Sequence, residues 1–117
     1  MPEMPKIFSM SFSVKTISVF ERQVKRLLKK YPSLKKEIHC LIEELKKEPE
    51  RGIFIGHNCY KIRIAIGSKG KGKSGGARII THLIYKHETV FLLTIYDKSE
   101  IENLTDNEIL ELVKLIP

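Results

Sequence analysis

Tyr60-Lys61-Ile62-Arg63-Ile64-Ala65-Ile66 decides the fold, because the hydrophobic period of the chain changes there. Tyr60, Ile62, Ile64 and Ile66 fall on one side of a period-2 pattern, and Lys61, Arg63 and Ala65 fall on the other. That pattern belongs to a half-buried strand whose two cations point away from the core. Upstream the period is 3.6. Ser18 and Glu21 form an S-x-x-E capping box, followed by Phe20, Val24, Leu27, Leu28 and Tyr31 on one helical face, and Pro32 stops the helix. Ser33 is placed to cap a second helix with the stripe Leu34, Ile38, Leu41, Ile42 and Leu45, which Pro49 and Gly52 close. The pair predicts a helical hairpin with two core-facing stripes.

Downstream, Gly67 to Gly76 holds five of the seven glycines and three lysines, the composition of a loop. The runs Arg78 to Tyr85 and Val90 to Tyr96 are β-rich and are separated by a short turn, Lys86 to Thr89, so they predict a hairpin. The second run is apolar on both faces, as an interior strand is. Thr105 and Glu108 make another capping box ahead of Ile109, Leu112, Val113 and Ile116, a short terminal helix. A loosely alternating, β-branched stretch from Ser11 to Ile17 supplies a first strand. The predicted order is β-α-α-β-β-β-α. It describes an α+β fold in which an N-terminal strand and a helical hairpin pack on a small, mainly antiparallel sheet, with residues 1–117 as one domain.

Charge is unevenly placed. The net charge is +7, yet Arg51 to His87 contains eight Lys or Arg and no acid, while the last thirty residues hold seven acids against Lys98 and Lys114. A concentrated cationic field points to a polyanionic partner. No apolar run approaches the roughly 18 residues of a spanning helix, so no membrane association is expected. The first ten residues carry two prolines, Glu3 and no cationic flank before an apolar stretch, unlike a signal peptide. The expected compartment is the cytoplasm, with Cys40 and Cys59 as reduced thiols.

Gly67-Ser68-Lys69-Gly70-Lys71-Gly72-Lys73-Ser74 matches G-x-x-x-x-G-K-[ST] literally. A phosphate-binding loop of that type needs a helix to begin directly after the Lys-Ser pair. Here Gly75-Gly76 and then the β-branched Arg78-Ile79-Ile80-Thr81 follow, so no nucleotide cofactor is expected. Lys61 and Arg63 share a strand face, and Arg78 opens the next strand. If those strands pair, three cations converge at one end of the sheet, with Lys69, Lys71 and Lys73 above them. Of the histidines, His39, His57 and His87 read as structural or surface groups, and His82 shares strand parity with Arg78. His57 and Cys59 are two residues apart in the chain, but no C-x-x-C, H-x-x-x-H or carboxylate cluster accompanies them, so no metal site is expected.

Tyr60-Lys61-Ile62-Arg63, Gly70-Lys71-Gly72-Lys73-Ser74-Gly75-Gly76-Ala77-Arg78-Ile79-Ile80 and Leu92-Leu93-Thr94-Ile95-Tyr96-Asp97-Lys98-Ser99-Glu100 together resemble the RelE/HigB/ParE superfamily of type II toxins, most closely its HigB branch. The resemblance covers nearly the whole chain. It implies a ribosome-dependent, metal-independent mRNA endoribonuclease that cuts mRNA in the ribosomal decoding site, requires no cofactor and is neutralised by a cognate helix-turn-helix antitoxin. It further implies that Arg78 grips the transition-state phosphate, that Lys61 and Arg63 are the paired basic positions on the family's second strand, and that Lys98 and Tyr96 complete the catalytic set. Lys69, Lys71, Lys73 and His82 would contact RNA. The best-studied RelE pattern places a tyrosine beyond the last strand, whereas nothing aromatic follows Tyr96 here. A ParE-like DNA gyrase inhibitor without nuclease activity and a non-catalytic RNA-binding module are the rival readings.

Overall fold

The computed structural model describes residues 11–67 and 75–117. In chain order the elements are β1 (Ser13–Thr16), α1 (Ser18–Lys30), α2 (Leu34–Lys47), β2 (Ile53–Gly56), β3 (Cys59–Ile64), β4 (Ala77–Ile84), a single 3₁₀ turn (Tyr85–His87), β5 (Thr89–Asp97) and α3 (Asp106–Val113). The strands form one sheet in the order β1-β5-β4-β3-β2. β1 runs parallel to β5, and every other pairing is antiparallel. The α+β architecture and the mainly antiparallel sheet agree with the sequence reading.

The departures have local causes. β2 is an additional strand, and it pairs with β3 through a tight turn in which His57 and Asn58 both take positive φ, 54° and 56°. Such a turn is the geometry that lets a two-residue hairpin follow strand twist. The sequence concealed it because Ile53 and Phe54 are both exposed, so β2 shows no alternation, and because His-Asn lacks the usual glycine signal. The predicted Ser18–Glu21 box does not form. Ile17 is the N-cap, Ser18 is already helical, and the Glu21 carboxylate instead accepts a hydrogen bond from the Thr16 hydroxyl. Ser33 occupies the N-cap of α2 in αR conformation without a side-chain cap bond. The amide of Leu34 donates to the Tyr31 carbonyl (3.0 Å) and that of Lys35 to the Pro32 carbonyl (3.2 Å), which satisfies the first turn instead. The Thr105–Glu108 box is complete, with reciprocal bonds of 3.1 and 2.7 Å.

Both sheet faces are covered. On one, Leu27, Leu34 and Leu45 from the helical hairpin pack against Ile62, Ile79, Leu83, Leu92 and Ile95. On the other, Ile109 of α3 packs against Ile80, Leu93 and Tyr96. All nine residues of β5 are buried, as its two-faced apolar sequence requires. The β3–β4 ladder begins at Ile64–Ala77, directly beside Gly76. A Cβ at Gly76 would collide with the Ile64 carbonyl oxygen, which is backbone and has nowhere to move. Gly76→Ala is therefore expected to lower stability by about 1–3 kcal/mol in a chemical denaturation experiment. An unchanged midpoint would show that the ladder can start elsewhere.

Candidate functional site

The sheet face that carries α3 also carries the predicted cations, and strand register arranges them. Arg63 on β3 opposes Arg78 on β4, and Arg78 opposes Tyr96 on β5, so the three side chains form one row across three strands. Directly opposed residues in an antiparallel pair share a face with Cβ atoms about 5 Å apart. Two residues along β3, Lys61 opposes Ile80 on the same face. Strand register thus places Arg63, Arg78 and Lys61 on one sheet face, with Tyr96 in the same row as the two arginines.

Their environments differ. Arg63 is exposed and makes no ion pair among the described residues. Arg78 is buried, 4% exposed, and its Nη1 donates to the Ala77 carbonyl at 3.1 Å. Burial pushes the Arg78 pKa down, the charge of Arg63 adds to that effect, and Tyr96 opposes it. Tyr96 is 3% exposed, and its hydroxyl has no hydrogen-bond partner among the described residues. Burial raises the Tyr96 pKa and the neighbouring Arg78 partly offsets the rise, so ionisation of the phenol is disfavoured. Lys61 Nζ donates to Asn103 Oδ1 at 3.1 Å. Lys61 and Tyr96 also line a cleft of about 180 Å³ with Ile55, Ile80, Leu104, Asp106 and Ile109, beneath the start of α3.

Lys98 stands one residue past β5. Its amide donates to the Gly76 carbonyl at 3.0 Å, which fixes its main chain beside the start of β4. Two acids hold the turn around it onto the end of α1. Asp97, fully buried, accepts from Tyr31 Oη at 3.0 Å, from Ser99 N at 2.9 Å and from Ser99 Oγ at 2.8 Å. Glu100 pairs with Arg26 at 3.0 Å and with Lys30 at 3.8 Å. The sequence reading missed Asp97, Glu100, Tyr31 and Asn103 because each acts on a partner 42 or more residues away, which leaves no local spacing to read.

His82 lies on the same face but four residues, about 13 Å, along β4 from Arg78. Its Nδ1 is 3.4 Å from the buried Cys59 Sγ, and burial lowers its pKa. It is thus not brought to the arginine row. Cys59 is a free thiol pushed up to about 11 by burial, and Cys40 is free and exposed. Lys69, Lys71 and Lys73 lie outside the described residues. β4 begins at Ala77, so only Gly75 and Gly76 separate Ser74 from a strand, and the helix that a nucleotide-binding loop needs has no room. Among the described residues no three His, Cys, Asp or Glu side chains are grouped to hold a metal ion.

Solved structures share this architecture. A double arginine-to-alanine mutant of the Escherichia coli toxin RelE in the free state is 20% identical, with a TM-score of 0.59 over 92% of this chain and 100% of that one. The isolated E. coli RelE toxin is 15% identical, with a TM-score of 0.55 over 91% of this chain and 100% of that one. The RelBE2 toxin–antitoxin complex from Mycobacterium tuberculosis is 15% identical, with a TM-score of 0.54 over 76% of this chain and 93% of that one. No family model matches the chain. At these identities the likeness is one of fold, and the fold is that of RelE.

The Asp97 anchor sets the position of the strand end that carries Tyr96 and Lys98. Tyr31→Phe deletes one hydrogen bond to a buried carboxylate and is expected to cost about 1.5–3 kcal/mol of folding stability. Equal denaturation midpoints for the two proteins would show the anchor to be dispensable.

Proposed function

We propose that this chain, with its RelE fold, is the toxin of a type II toxin–antitoxin pair and acts as a ribosome-dependent mRNA endoribonuclease of HigB-like type in the cytoplasm. The observation that carries the reading is the row Arg63–Arg78–Tyr96, with Lys61 on the same face. Two opposed guanidinium groups cost the folded state like-charge repulsion, and a phosphate between them would convert that cost into binding.

The chemistry follows from those groups. The ribose 2′-oxygen attacks the adjacent phosphorus and loses its proton, the P–O5′ bond breaks, and the products are a 2′,3′-cyclic phosphate and a free 5′-hydroxyl. Negative charge builds on the non-bridging oxygens, where Arg78 and Arg63 present planar donor forks. Because Arg78 is buried, its field is less screened than that of a surface arginine. Lys61 assists removal of the 2′-proton or stabilises the charge that removal creates. Tyr96, a phenol whose ionisation burial disfavours further, is a donor rather than a base, so it and Lys98 are assigned to the leaving 5′-oxygen. No residue of the set calls for a metal or other cofactor in this scheme. A cognate helix-turn-helix antitoxin would neutralise the toxin, and an acidic segment of it would complement the cationic row.

A reconstituted translation reaction, run with and without ribosomes, tests the reading. Cleavage of mRNA only when ribosomes are present is expected, and Arg78→Ala should slow it by about 10² to 10³. Cleavage at the wild-type rate by Arg78→Ala would remove the arginine row from the mechanism. Gyrase inhibition without any cleavage would instead favour the ParE-like alternative.

A further inference from the structure

The two helices of the hairpin differ in a way that their shared packing role does not explain. On α2 the exposed residues mix signs and pair: Lys46 with Glu43 at 2.9 Å, and Glu44 with Arg51 at 3.3 Å. That is an ordinary solvated helix face. On α1 the exposed residues beyond Ser18 are Glu21, Arg22, Lys25, Arg26, Lys29 and Lys30. The single acid, Glu21, accepts a hydrogen bond from Thr16 at the helix start. The five cations stand at i, i+3 and i+4 spacings, so each faces like-charged neighbours, an arrangement that destabilises a helix. Lys29 and Lys30 complement the negative end of the helix dipole. Arg22, Lys25 and Arg26 gain nothing from it. Glu100 relieves Arg26 and Lys30, while Arg22, Lys25 and Lys29 make no ion pair among the described residues.

We infer that the outer face of α1 is a second RNA-binding surface, one that takes the phosphate backbone of a duplex. α1 packs on the sheet face opposite the Arg63–Arg78–Tyr96 row, so Arg22, Lys25 and Lys29 lie across the sheet from that row, and only the C-terminal end of the helix, through Glu100, neighbours the turn that carries Lys98. Its chemistry selects the partner. The face carries no exposed aromatic or aliphatic side chain, so it lacks the buried anchors of a protein interface and the stacking platform of a single-strand site. Cations repeating every three or four residues, roughly 5–6 Å along the axis, suit a continuous ridge of phosphates. The choice of RNA over another polyanion rests on the proposed substrate. The Glu100 carboxylate, seated between Arg26 and Lys30, shows that an anionic oxygen fits between these side chains.

The test is binding of the full chain to an RNA duplex of about 16 base pairs, long enough to cover such a face, at several salt concentrations. The variants are a triple, Arg22→Gln with Lys25→Gln and Lys29→Gln, and an equal-charge control on α2, Lys35→Gln with Lys36→Gln and Lys47→Gln. The α1 triple is expected to weaken binding at least tenfold and to flatten the slope of log K against log salt by about two to three, near 0.9 per lost phosphate contact as in duplex DNA. The control should do much less. In ribosome-dependent cleavage the α1 triple should raise KM and leave kcat unchanged, because its residues lie outside the arginine row. Equal losses from both triples, an unaltered slope for the α1 triple, or no duplex binding by the wild type would overturn the inference. Wild-type duplex binding that the α1 triple abolishes, found in a chain that cleaves nothing, would support this surface and sink the nuclease reading alone.

Discussion

The register of β3, β4 and β5 is the constraint on which the rest depends, because it alone sets Arg63, Arg78 and Tyr96 side by side. A slip of one residue would turn all of these side chains to the opposite face, under the helical hairpin. The hydrophobic pattern forbids that slip, since it would expose Ile62, Ile79 and Ile95 to the side where α3 covers only part of the sheet. Apolar burial therefore fixes Arg63 opposite Arg78, and the charge of Arg63 adds to the burial that lowers the Arg78 pKa.

The two faces divide the labour. The helical hairpin seals one face with leucine and isoleucine, and its last contact, Tyr31 on Asp97, reaches round to fix the end of β5. The other face is only partly covered, which leaves a cleft bounded by Lys61, Tyr96 and the start of α3. Burial acts there on both partners of the Arg78–Tyr96 pair, lowering one pKa and raising the other. Each shift disfavours the ionised form of its group, so a desolvated guanidinium stands next to a phenol whose deprotonation is resisted, the arrangement on which the proposed phosphate chemistry rests.

Much of this was legible in the chain itself. The change of period at Tyr60 gave the strand that carries Lys61 and Arg63, and the both-faces-apolar run ending at Tyr96 gave an interior strand. β2 was not legible, because an exposed Ile53-Phe54 pair and a His-Asn turn break the usual strand and turn signals. The capping boxes divide by context. Thr105 stands free at the surface and caps as its spacing suggests, whereas Ser18 is overtaken by a helix that starts one residue earlier and by the competing Thr16–Glu21 bond. His82 shared parity with Arg78, but parity fixes a face and not a distance, and its partner proved to be Cys59. The supporting contacts of Asn103, Asp97 and Glu100 are products of tertiary folding and leave no periodic trace.

The central claim is that Arg63 and Arg78 form a phosphate site assembled by strand register. The most direct measurement is thermal unfolding of the wild type and of Arg63→Gln in increasing inorganic phosphate, against chloride at matched ionic strength. Binding to the folded state alone raises stability by RT ln(1 + [L]/Kd), so the wild type should show a saturable, phosphate-specific rise in Tm that Arg63→Gln lacks. The same rise in both proteins, or none beyond the chloride control in the wild type, would contradict the claim.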